Sequence, residues 1–107
     1  MDKRLQDSRV TFDMNEGLRK KLEDEFAQWV FSPDNERIVA WNPGKGATIF
    51  ATKTGETLLS IDTDKDRWYW SPNGKELVSH DYIITSIWDA TTGKFLRSVE
   101  AKYERPE

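Results

Sequence analysis

Short apolar runs rich in Val, Ile, Trp, Phe and Thr, each cut off by turn residues, organise most of this chain. Runs of that kind read as strands, because β-branched and aromatic side chains suit a pleated, half-buried surface. The pattern predicts strands at 29–31, 37–41, 47–52 and 57–61, and again at 68–70, 76–79, 83–88 and 95–99. Ser32-Pro33-Asp34-Asn35 and Ser71-Pro72-Asn73-Gly74 follow the first strand of each set. Proline fixes φ at the first central turn position and Asn-Gly readily supplies positive φ, so both stretches read as hairpin turns. Thr54-Gly55 and Thr92-Gly93 mark the turn before each last strand. With every connection tight, each set is expected to pair as a four-stranded antiparallel meander.

The two sets are copies of one unit. Phe31-Ser32-Pro33-Asp34 returns as Trp70-Ser71-Pro72-Asn73 after 39 positions, and Thr54-Gly55-Glu56 returns as Thr92-Gly93-Lys94 after 38. Ile49-Phe50 matches Ile87-Trp88, while Leu58, Leu59 and Ile61 match Leu96, Arg97 and Val99. Upstream, Phe12 and Gly17 stand 38 positions before Phe50 and Gly55. That register predicts the trailing half of another unit, with strands near 9–13 and 18–22. A helix competes for the same stretch, since Met14, Leu18, Leu22 and Phe26 fall at i, i+4, i+8 and i+12 amid Glu- and Lys-rich filler that Gly17 interrupts. The expected division is a partial repeat over 1–26 (strands, or alternatively a helix), full units over 27–62 and 63–101, and a tail over 102–107.

These motifs resemble WD40 repeats of the β-propeller fold over about residues 9–103. The carriers are Phe31-Ser32-Pro33-Asp34, Trp70-Ser71-Pro72-Asn73 and Ile87-Trp88-Asp89-Ala90-Thr91-Thr92-Gly93-Lys94, with Phe12-Asp13 and Ile49-Phe50-Ala51 as degenerate relatives. The resemblance implies an all-β chain of four-stranded antiparallel blades, with an incomplete ring per chain. It further implies that strand A lines a central channel and strand D the rim. The A–B and C–D turns would then share one face, and the B–C and D–A loops the other. Many blades of that family join a Gly-His pair to a Ser or Thr, an Asp and the motif Trp by hydrogen bonds. Here Ser79, Asp81 and Trp88 match three of those roles in the last unit, followed by Asp89, but no Gly-His pair occurs. The middle unit has Asn42-Pro43-Gly44-Lys45-Gly46 in place of the Asp and Phe50 in place of the Trp.

Composition narrows the chemistry. The 107 residues carry 16 basic and 19 acidic side chains, one histidine and no cysteine, with five Trp, three Tyr and five Phe. Without cysteine there is no disulfide framework and no thiolate zinc site. A net charge of −3 weighs against a basic nucleic-acid-binding face. No apolar run reaches the length of a membrane span, and the first ten residues are too polar for a signal peptide, so the expected setting is cytoplasmic.

No catalytic group, metal or cofactor is expected. Ser79-His80-Asp81 has the residue types of a hydrolytic triad, but neighbours on a strand point to opposite faces and cannot converge. Asn42-Pro43-Gly44-Lys45-Gly46 lacks phosphate-loop spacing and precedes a strand rather than a helix. Asp62, Asp64 and Asp66 begin like a calcium loop, yet Arg67 and Asn73 stand where that loop needs glycine and glutamate. The same acids, with Glu23, Asp24, Glu25, Glu100 and Glu104, predict an acidic loop face suited to a basic peptide or protein. Trp29, Phe31, Trp68 and Trp70 read as packing between blades. Trp41, Asp62, Asp64, Asp66, Arg67, Tyr69 and Tyr82 are the candidate contact residues, with Trp41 the candidate exposed anchor. Single-ring propellers usually have roughly 4–8 blades, and a blade covers its apolar faces only by stacking. Fewer than three blades leave faces open at both ends, so the expected partner is a further copy of this chain or a second chain supplying the missing blades. The functional expectation is a non-catalytic interaction or assembly module; a purely structural self-assembling subunit, or a fragment of a larger scaffold, are the alternatives.

Overall fold

The computed structural model describes residues 14–81 and 83–100. Eight strands form: β1 (Gln28–Phe31), β2 (Arg37–Trp41), β3 (Ala47–Ala51) and β4 (Thr57–Ile61), then β5 (Arg67–Trp70), β6 (Glu76–His80), β7 (Ile84–Asp89) and β8 (Phe95–Glu100). They make two open antiparallel sheets in the orders β1-β2-β3-β4 and β5-β6-β7-β8. Register repeats as well: Ile38 stands opposite Phe50, and Leu77 opposite Trp88. Each sheet carries a bulge at the same place, between Ile49 and Phe50 and between Ile87 and Trp88.

The repeated turns work as the sequence predicts. The Ser32 hydroxyl donates to Asp34 Oδ1 at 2.7 Å and accepts the Arg37 N–H at 3.0 Å, so one side chain closes both ends of the hairpin. Ser71 does the same with Asn73 at 2.8 Å and the Glu76 N–H at 3.0 Å. Asn35 and Gly74 occupy matching positive-φ positions at 63° and 74°.

Upstream, the strand expected at 18–22 does not form; the strand expected at 9–13 lies outside the described residues. Residues Glu16–Glu25 are the helix α1. Asn15 caps it by accepting the Leu18 N–H at 3.0 Å. The apolar stripe decides the outcome: Met14, Leu18 and Leu22 are buried with Ile38, Ala40 and Phe50, and Phe26, Trp29 and Phe31 pack around them. Gly17 lies in the first turn, exposed to solvent. Two further bonds hold the helix on the sheet. The Asn15 N–H donates to the Thr52 carbonyl at 2.8 Å. At the other end, the Asn42 amide donates to the Glu25 carbonyl at 2.9 Å and accepts the Ala27 N–H at 2.8 Å.

The first sheet is therefore covered on both sides, by α1 and by the second sheet. Between the sheets, Val39, Trp41, Ile49 and Ile61 pack with Trp68, Trp70 and Leu77. Arg37 bridges the two: it donates to the Ala90 carbonyl at 3.2 Å and the Gly74 carbonyl at 2.8 Å, with its guanidinium 4.7 Å from the Trp70 ring centre. The Trp70 indole donates back to the Val30 carbonyl at 3.0 Å. Through the repeat, Trp29, Phe31, Ile38 and Phe50 correspond to Trp68, Trp70, Leu77 and Trp88. The first group receives α1 where the second receives a blade. The expectation of an open apolar face at each end is thus corrected: the N-terminal end is closed by the helix.

Candidate functional site

The connections between β2 and β3, β4 and β5, and β6 and β7 collect at one end of the stacked sheets. The Gly44 N–H donates to the Lys65 carbonyl at 3.1 Å, the Asp66 N–H to the His80 carbonyl at 3.2 Å, and Lys65 Nζ meets Asp81 Oδ2 at 3.2 Å. The last turn of α1, with Glu23, Asp24 and Glu25 and no base, is tied to the same end through Asn42. Carboxylates at a helix C-terminus meet the negative end of its dipole; Lys20 and Lys21, one turn back, lie 3.7 Å from Asp24 and 3.8 Å from Glu25 and offset part of that cost.

Trp41 is not an exposed anchor. It is 2% exposed, and its indole N–H donates to the Asp66 carbonyl at 3.0 Å. The side chain at the end of β2 faces the neighbouring sheet, so the indole fills the gap between sheets and pins the β4–β5 loop. Asp62, Asp64, Asp66 and Arg67 are exposed as expected. Among the described residues, no three side chains of metal-ligating type converge. Tyr82 lies outside the described residues. The Asn42–Gly46 segment is a turn leading into β3, with Gly44 and Gly46 at φ of 78° and 89°.

Two adjoining depressions share Asp66 and Asp81. One, of about 230 Å³, is completed by Arg67 and His80; the other, of about 310 Å³, by Ile83 and Ile84. Ile83 is 56% exposed and Ile84 38%. The sequence reading missed both isoleucines, although adjacent apolar residues entering a strand cannot both turn inward. The strand expected at 76–79 also runs one residue further, so that His80 ends β6.

Ser79, His80 and Asp81 serve different partners, so no relay links them. The buried Ser79 hydroxyl accepts the Trp88 indole N–H at 2.9 Å. His80 Nε2 lies 2.8 Å from the Tyr69 hydroxyl and Nδ1 3.2 Å from Thr85 Oγ1. Asp81 accepts the N–H groups of Ile83 and Ile84 at 3.2 and 3.1 Å. Of the three roles expected for Ser79, Asp81 and Trp88, the Ser–Trp bond forms and Asp81 stands apart from it. Asp89 likewise caps a turn, accepting the Thr91 and Thr92 N–H groups at 2.8 Å each.

These caps shift acidities. The Ile84 N–H and then Lys65 hold Asp81 below the usual carboxylate range, as the Thr92 and Thr91 N–H groups do for Asp89. The Glu36 N–H and the Ser32 hydroxyl do the same for Asp34. Each group has a folded-state pKa depressed below its unfolded value, so its contribution is complete above the unfolded pKa and is lost as pH falls through the folded one. Thermal melts from about pH 6 to about pH 3 should therefore show falling stability, with most of the loss below about pH 4. The Asp34→Asn, Asp81→Asn, Asp89→Asn triple variant should flatten that slope; an unchanged slope would show that the three caps do not carry it.

No family model matches the sequence, and no curated protein matches it. Solved structures do. The WD40 repeats of RRP9 are 20% identical with a TM-score of 0.61, over 71% of this chain and 26% of that one. The C-terminal WD40 domain of Sif2 gives 21% and 0.60, over 73% and 23%. The β-propeller domain of Myceliophteria thermophila Cps50 (Swd1) gives 17% and 0.60, over 72% and 25%. The chain spans about a quarter of the length of these structures. Its two sheets have the fold of WD40 β-propeller blades. Among the described residues, no helix is long and apolar enough to cross a membrane.

Proposed function

We propose that this chain is a non-catalytic protein-interaction module, cytoplasmic in setting, that holds a basic segment of a partner at the loop end of its blades. The observation that carries the reading is the depression where exposed Ile83 and Ile84 stand beside Asp66, with Asp62 and Asp64 on the adjoining loop. Apolar surface supplies contact energy, and the surrounding carboxylates select cations over phosphates. The acidic last turn of α1 adds exposed carboxylates at the same end, of which Asp24 and Glu25 also pair with Lys20 and Lys21 one turn back. The test is fluorescence anisotropy with a labelled peptide of alternating Lys and Leu. Asp62→Lys, Asp64→Lys, Asp66→Lys together should weaken binding at least about tenfold, roughly 1.4 kcal/mol, while leaving the melting curve in place. Undiminished binding would sink the proposal.

A second reading is favoured by the outer face of the second sheet. Tyr69 and Val99 are 39% and 52% exposed there, at the places that Val30 and Ile61 hold in the covered inter-sheet packing. On this reading the chain is an assembly unit, and a further copy or another chain's blade covers that face.

A further inference from the structure

We propose that Lys65 is an internal placeholder at the loop end, its ammonium holding the seat on Asp81 that a cation of the partner takes over. This rests on the interaction reading above and names the group through which a basic segment is recognised. The depression concerned is lined by Asp66, Asp81, Ile83 and Ile84. The Asp66 N–H bonds the His80 carbonyl at 3.2 Å and so carries the ladder one residue beyond β5. Strand alternation then places Asp66 in the row of Trp68, and Ile84 in the row of Ser86 and Trp88. Both indoles pack between the sheets, so the site belongs to the junction of the two sheets.

Asp81 is held in place to receive a cation. Its Oδ1 is committed to the turn, accepting the Ile83 N–H at 3.2 Å and the Ile84 N–H at 3.1 Å, and its own N–H donates to the Ile84 carbonyl at 3.2 Å. Oδ2 is left for a charge, and Lys65 Nζ lies 3.2 Å from it. The lysine reaches across from the β4–β5 connection, where the Gly44 N–H fixes its carbonyl at 3.1 Å. Its side chain is 15% exposed, whereas the cations of the three other ion pairs among the described residues are 44% to 77% exposed. A shielded pair is the kind whose breaking costs most when nothing replaces the lost partner.

That cost decides which partners enter. An apolar segment can cover Ile83 and Ile84, which are 56% and 38% exposed, but it offers Asp81 nothing, so Lys65 stays in place. A segment carrying a lysine or arginine beside an aliphatic residue exchanges one cation for another. The carboxylate is then never left bare, and the turn has already fixed its orientation. The released Lys65 side chain also regains its rotamers. Lys65 thus sets a threshold that a cation passes and a neutral segment does not, which makes it a specificity-determining residue of the site.

Fluorescence anisotropy of the full chain with the labelled Lys and Leu peptide is the test. Lys65→Met should tighten binding at least about fivefold, the low end of couplings between competing contacts. Lys45→Met removes an equal charge from the exposed β2–β3 turn at the same end, and should change affinity less than about twofold, since solvent screens it. In an Asp81→Asn background, whose amide oxygen still accepts the Ile83 and Ile84 N–H groups, the gain from Lys65→Met should vanish. Thermal melts check that each variant folds, and Lys65→Gln carries the test if methionine disturbs the loop. Equal gains at Lys65 and Lys45 would overturn the placeholder, because net charge alone would then account for them. A gain that survives Asp81→Asn, or weaker binding by Lys65→Met, would overturn it too while leaving the interaction reading intact. A peptide bound by neither the unaltered chain nor any variant would overturn both.

Discussion

Leu22→Ala should cost the chain about 3 kcal/mol, the usual toll of emptying a buried leucine site, and lower its melting temperature by on the order of 15 °C. Leu22 is fully buried at the centre of the α1 stripe, against Ile38, Ala40 and Phe50. Neither end of the helix relieves the loss. Asn15 and Asn42 fix both ends to the sheet, so the helix cannot slide to refill the space. Leu58→Ala, at an exposed site on β4, serves as the control and should cost less than about 1 kcal/mol. Denaturant unfolding compares the two. Equal losses would mean that α1 does not close the first blade.

Gly46→Ala should be about as damaging, near 3 kcal/mol. Gly46 sits at φ 89°, and an added Cβ would lie 2.6 Å from the Ile61 carbonyl oxygen. That obstacle is backbone, not the tip of a flexible side chain, so the β4–β5 loop itself must yield, and Asp62 with it. Gly44 separates the steric cost from the dihedral cost. Its φ is 78°, but nothing lies within 4 Å of the place an added Cβ would take. Gly44→Ala should therefore lose only about 1 kcal/mol. If both substitutions cost the same, the close approach of the two loops is not what demands glycine at 46.

The strands were legible in the sequence because their determinants are local. Val, Ile and Trp runs, Ser-Pro turns and Thr-Gly turns each act within a few residues, and β1 to β8 fall where those signals place them. The stretch 16–25 was ambiguous for a physical reason. Its repeat register favours a strand, its stripe favours a helix, and the choice is made by a surface far along the chain, at Ile38 and Phe50. Trp41 was misplaced for a similar reason, since a strand-end indole faces solvent or core according to which neighbouring sheet lies beside it. At the loop end, the acids were readable as charges, whereas their union with Ile83 and Ile84 depends on the β4–β5 and β6–β7 connections being side by side.

The guanidinium fork of Arg37 also sets how an array of such units can lengthen. A blade that both receives and grips needs the aromatic face around Trp29 and Phe31 on one side and Arg37 on the other, and only the first unit has both. A duplicate of that unit, inserted between the two existing ones, would find its neighbours already matched on each flank. One appended after β8 would meet Glu76 in place of the arginine, and one placed ahead of the first unit would have to evict α1. Of these three placements, insertion between the two sheets is the one that keeps both the α1 contact and the Arg37 grip.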